Sequence, residues 1–295
     1  MLKAVVDVGV PVLVVFAMVV VGAGLTAADF RRVARRPGPV LVAIVGQAVL
    51  LPGLGWLLAS GLGLQPAVAA GVALVAACPG GAMASVYTQL ARGDVALSVT
   101  LTAVSCLAAG FTMPAALAVV QGGDLHSREF SVPPGVLGGQ LLVLLVLPVL
   151  GGMGFRHRWP GAAERHGRSL LRLGVAALLA LLGIVIVEEA ARFADAFTEI
   201  ASAAGLLTVL AFGAGWATGW ACGCRAGGRL AVGMAFAVRN VGIATAVAVT
   251  AFGRVEFAVF ATAYFLAQVP ILLTAAVVFR STGAVDVNIS GGARP

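Results

Sequence analysis

Two short stretches of this sequence join residues that interrupt a helix to residues that can hold a charge. The first is Cys78-Pro79-Gly80-Gly81, followed by Ala82-Met83-Ala84-Ser85. Proline has no amide N–H and glycine tolerates non-helical torsions, so a helix entering this run has to stop. The second is Val238-Arg239-Asn240-Val241-Gly242, an arginine and an asparagine just before a glycine. A guanidinium offers a planar fork of donors that suits a carboxylate or converging carbonyl oxygens. A broken helix adds a new N-terminus, which attracts anions, and freed carbonyls, which attract cations. The chemistry within reach is therefore reversible ion binding. No acid, base or metal cluster accompanies these residues, so the pattern does not predict an enzyme.

Other polar residues lie in comparable settings. Gln47 sits in one apolar segment, and Ser85 and Thr88 follow the first break. Ser98 and Thr102 are four residues apart, hence on one helix face. Their hydroxyls suit a bound cation, the carbonyls of the preceding turn, or close packing between helices. Gln268 and Tyr264 are candidates either for a cavity lining or for the core.

Everything around these residues is apolar. Of the 295 residues, 60% are hydrophobic and 11% charged, and the mean hydropathy is +1.04. Such a composition specifies a polytopic membrane protein. The net charge of +7 does not imply nucleic acid, because the arginines fall in short connections where they set orientation. Cys222-Gly223-Cys224 has no neighbouring ligand pair and reads as small-residue packing at a helix end.

Nine apolar segments follow, near 8–28, 38–60, 67–91, 95–120, 134–155, 169–190, 199–222, 229–252 and 256–279. They form one membrane domain over 1–295 with a short tail at 281–295. Arg31, Arg32, Arg35, Arg36, Arg156, Arg158, Arg165, Arg168, Arg225 and Arg229 fall on one side of a nine-span chain, with Arg280 and Arg294 of the tail. Acidic connections such as Asp124 to Glu129 fall on the other. The excess of basic residues on the cytoplasmic side predicts an outside N-terminus and a cytoplasmic C-terminus in the cell membrane. The sequon at Asn288 then lies on the wrong side for glycosylation.

Both breaks fall inside spans. Paired interrupted spans in corresponding parts of two halves predict an inverted-repeat transporter. Arg239 is the one charge well inside a span, at an insertion cost of roughly 2.5–3.5 kcal/mol, so it must meet a cavity, freed carbonyls or an anion.

Around these residues the sequence resembles the bile acid:sodium symporter family. The resemblance is carried by Cys-Pro-Gly-Gly-Ala-Met-Ala-Ser-Val at 78–86 and by Leu-Ala-Arg-Gly-Asp-Val-Ala-Leu-Ser-Val-Thr-Leu-Thr at 90–102. Gly22 to Thr26, Asp29-Phe30, Gln47 and Leu51-Pro52 are similar as well. The resemblance implies an all-α fold of nine transmembrane helices with two broken helices that cross. It further implies a core (about 38–120 and 199–279) moving against a panel (about 8–28 and 134–190). The implied function is secondary transport of a small organic anion by alternating access, usually with sodium. Pro79, Gly80, Gly81 and Gly242 are then hinge residues of the breaks, and Arg239, Asn240, Ala82 and Ser85 line the substrate site. Gln47, Ser85, Ser98, Thr102, Phe236 and Val238 form what is retained of the cation sites. No organic cofactor is implied, sodium is the one ion, and the partners are the anion and the lipid bilayer.

The second break departs from the family. Ala235 stands where the family has the glutamate shared by both sodium sites, and Arg239 where it has a glutamine ligand. A fixed positive charge replaces a negative one, and at about 4 Å and an effective dielectric near 20 it repels a sodium ion by roughly 4 kcal/mol. Arg239 is therefore expected to substitute for the coupling cation and to neutralise the substrate. Two other functions fit the same residues. One is an anion sensor that has lost flux, and the other is an arsenite-type exporter with Cys78 as its thiolate.

Overall fold

The computed structural model describes residues 8–26, 31, 37–122 and 133–282. The Arg32, Arg35 and Arg36 loop, the Asp124 to Glu129 connection, and the tail with Arg294 and Asn288 lie outside the described residues. So does the Asp29-Phe30 match.

The described chain is helical. The helices are α1 (Val10–Gly24), α2 (Pro37–Gly61), α3 (Pro66–Ala77), α4 (Met83–Leu90) and α5 (Val95–Gly122). Then come α6 (Pro134–Leu141), a π turn (Leu142–Val146), α7 (Leu147–Arg158), α8 (Pro160–Glu188) and α9 (Ala190–Asp195). The last are α10 (Phe197–Ala221), α11 (Ala226–Ala237), α12 (Val241–Thr250), a 3-10 turn (Val255–Phe257) and α13 (Ala258–Ser281).

Among the described residues, five stretches are long and apolar enough to cross a membrane: Pro37–Gly61, Val95–Val119, Gly135–Arg158, Phe197–Ala221 and Val255–Ser281. A sixth is counted if the bent pair Pro160–Gly167 and Arg172–Val187 is one span. Val10–Gly24, Pro66–Ala77 and Val241–Thr250 are apolar but shorter. The last two are short because the breaks cut them. The outward faces are apolar: Phe111 is 83% exposed and Val119 77%, a surface that only lipid makes inexpensive.

Proline sets several boundaries. Pro66 and Pro160 open α3 and α8, where the missing N–H costs nothing. Pro79 forces its predecessor Cys78 into extended backbone (φ −62°, ψ 155°), which ends α3 at Ala77. Polar caps secure other ends. The Glu199 carboxylate accepts from the Gln65 N–H at 2.7 Å, in front of α3. Arg156 donates to the Ala23 carbonyl at 3.0 Å, at the end of α1.

Two sets of neighbours emerge. α1, α7 and α8 pack on one another, and α2, α5, α10, α11 and α13 surround α3 and α4. The α1–α7 contact is backbone on backbone. A Cβ on Gly22 would lie 2.1 Å from the Val149 carbonyl oxygen, and one on Gly152 would lie 2.1 Å from that of Val19. α10 meets α11 in the same way, at Gly215 against Val232 and Gly233.

Candidate functional site at the crossing of two broken helices

The two breaks meet. Gly80 and Arg239 form an isolated antiparallel bridge. The Gly81 N–H donates to the Val238 carbonyl at 2.8 Å, and the Asn240 N–H to the Pro79 carbonyl at 3.0 Å. Each break thus satisfies backbone groups freed in the other, as apolar surroundings require. Gly81 has to be glycine here, because a Cβ would come within 2.9 Å of the Arg239 carbonyl oxygen. The Gly80 N–H donates to Ser105 Oγ at 3.1 Å, and that hydroxyl donates to the Thr102 carbonyl at 3.0 Å. Tyr264 closes the other flank, its phenol donating to the Ala237 carbonyl.

The second break ends in a capped helix. Asn240 takes the N-cap of α12, and its Oδ1 accepts from the Ile243 N–H at 3.2 Å. The Asn240 Nδ2 lies 3.5 Å from Met18 Sδ of α1, so the crossing touches the α1 set directly. The first break ends at Ala82 and Met83, where α4 starts.

Arg239 is 4% exposed. Its guanidinium donates to Gln47 Oε1 of α2 at 3.1 Å, and to the Ala76 carbonyl at the end of α3 at 3.4 Å. The Arg239 Nε has no partner among the described residues. Among the described residues no carboxylate pairs with it. The positive charge is therefore held by neutral oxygens, one from a side chain and one from a freed helix end.

A cavity of about 110 Å³ opens beside the crossing. It is walled by Met18 of α1, Leu181 of α8, Phe265 of α13 and both broken stretches, including Ala82 and Gly242. Gln268 reaches it from α13, 1% exposed, with an Oε1 that has no partner among the described residues. A second cavity of about 10 Å³ is lined by Gln47, Cys78, Ser105, Thr112 and Arg239. Arg239 borders both.

The residues expected to hold a cation end up in three situations. The Gln47 oxygen is taken by Arg239, and the Val238 carbonyl by Gly81. The Ser85 hydroxyl turns back onto the Ala82 carbonyl at 2.9 Å, and Phe236 is buried in the core. Ser98 and Thr102 differ from most threonines in the fold. Thr88, Thr208, Thr245 and Thr262 bond the carbonyl four residues back, whereas the buried Ser98 and Thr102 hydroxyls have no partner among the described residues. Ser105, next on the same face after Ser98 and Thr102, is the site residue that sequence reasoning passed over; its spacing was the available signal.

The sequence model of the Sodium Bile acid symporter family matches residues 11–196. The chain belongs to this family, one of transporters rather than enzymes. It is similar to the ileal sodium/bile acid cotransporter of Oryctolagus cuniculus, 31% identical over 184 residues, 60% of this chain and 51% of the cotransporter. An uncharacterized sodium-dependent transporter of Bacillus subtilis (strain 168) is 31% identical over 172 residues, 57% of this chain and 52% of that protein. A sodium-dependent organic anion transporter of Rattus norvegicus is 32% identical over 160 residues, 52% of this chain and 42% of that protein. The chain spans about half the length of these curated relatives. The family match stops before α10, so the second break lies beyond it.

Proposed function

We propose that this protein is a secondary transporter of a small organic anion, working by alternating access in the cell membrane. Nine spans are counted when α3 with α4, and α11 with α12, are each taken as one interrupted span. α2 to α5 and α10 to α13 form the core, and α1 with α6 to α8 the panel. The N-terminus lies outside and the C-terminus in the cytoplasm. The anion occupies the larger cavity, between core and panel, where Asn240 and the starts of α4 and α12 supply donors. The relatives named for bile acid and organic anion transport support an anionic substrate.

One observation carries the remaining part, that sodium is not the coupling ion. The Arg239 guanidinium already sits on the Gln47 oxygen and the Ala76 carbonyl. A cation placed there would lose both acceptors and meet a like charge. The donor set around Gln47 therefore does not fit sodium, and no transport step runs through it. Arg239 acts as a tethered cation that fixes the crossing and makes the cavity electropositive. Uptake into proteoliposomes with choline replacing sodium tests this reading. Equal rates support it, and a strong loss of uptake overturns it.

A further inference from the structure

Resting on the reading of this chain as an anion carrier, we infer that it is an obligate anion exchanger: it resets across the membrane only when loaded. A dissociable coupling cation leaves the carrier with its substrate. Arg239 is covalently part of the chain and stays. Its charge is 4% exposed, held by the neutral oxygens of Gln47 and Ala76, and among the described residues it pairs with no carboxylate.

The charge balance follows. A monoanion in the cavity bordered by Arg239 brings the moving crossing to neutrality. The same crossing without an anion carries one net positive charge through the apolar barrier. Charges at bilayer depth are costly, and the cost falls on the empty carrier alone. The loaded form reorients, and the empty form waits for an anion from either side. Monoanion exchanged for monoanion moves no net charge.

The test uses the full chain in proteoliposomes, with radiolabelled pyruvate and radiolabelled cholate outside. The lumen contains either buffer alone or the same unlabelled anion. Internal anion should raise the initial uptake rate by about tenfold or more for the anion carried. Equal rates with empty and loaded liposomes would overturn exchange and leave the anion-carrier reading standing. Absence of uptake of both probes under both loads would overturn both readings. Arg239→Lys keeps the charge and should keep the stimulation by internal anion. Arg239→Gln makes the empty crossing neutral and the anion-loaded one charged, so uptake should fall under both loads and the stimulation by internal anion should disappear. Full stimulation retained in Arg239→Gln would contradict the role given to the tethered charge.

Discussion

Arg239 and Gln47, 192 residues apart in sequence, meet at 3.1 Å inside the protein, guanidinium to amide oxygen. This contact ties the second break to α2 and puts a fixed charge where the resemblance implied a mobile one. Gln47→Ala leaves the guanidinium with the Ala76 carbonyl alone. A buried donor without a partner costs about 1–3 kcal/mol, so the thermal midpoint in detergent should fall. Gln47→Glu instead provides a carboxylate partner. It should keep the fold and abolish anion uptake, because the positive charge is then neutralised internally.

The crossing itself depends on Gly81. A Cβ there would meet the Arg239 carbonyl oxygen at 2.9 Å, whereas one on Gly80 would sit 3.3 Å from the Ser105 hydroxyl, which can turn. Gly81→Ala should therefore lose uptake and about 1–3 kcal/mol of stability through overpacking, and Gly80→Ala should retain most of both. Paired melting and uptake measurements check this, and equal damage from the two variants would contradict the backbone contact.

Both breaks were legible because each rests on residue types with strong backbone consequences. Pro79 forbids continuation of α3, and an arginine at Arg239 is too expensive in a plain span. That they touch, through Gly81 with Val238 and Asn240 with Pro79, was legible only through the family resemblance. The direction of the Arg239 side chain was not legible at all. Its reach covers both cavities, and the choice depends on where the Gln47 oxygen and the end of α3 fall in space. Ser98 and Thr102 were legible as one face, but only packing decides that their hydroxyls lack the usual carbonyl partner. The close α1–α7 contact left no trace either, since Gly22 and Gly152 are two among 39 glycines.

That contact yields a separate prediction. Gly22→Leu and Gly152→Val each place atoms inside a neighbouring backbone, 2.1 Å from a carbonyl oxygen at the first carbon. Each should separate α1 from α7 and lower the melting midpoint clearly. Gly24→Ala has open space around its Cβ and should change stability by no more than about 0.5 kcal/mol. Melting curves of the three variants, compared directly, check the packing.

A gain of function should follow from reversing the exchange of acid for base. Ala235 is fully buried, four residues before Arg239 in sequence and near the end of α11. Arg239→Gln combined with Ala235→Glu restores the charge pattern that the resemblance implies for a sodium site. The double variant should acquire sodium-stimulated uptake. Ala235→Glu alone should instead pair with Arg239 and lose anion uptake. Sodium titrations of uptake in the two variants distinguish these outcomes.

If the Arg239 guanidinium stands in for the coupling cation, external sodium is dispensable. The most direct measurement is the initial rate of anion uptake by the unmodified protein in proteoliposomes, loaded inside with the same anion, with external sodium replaced by choline. The same rate in both media is the result expected of a tethered cation. A rate that collapses without sodium would contradict it.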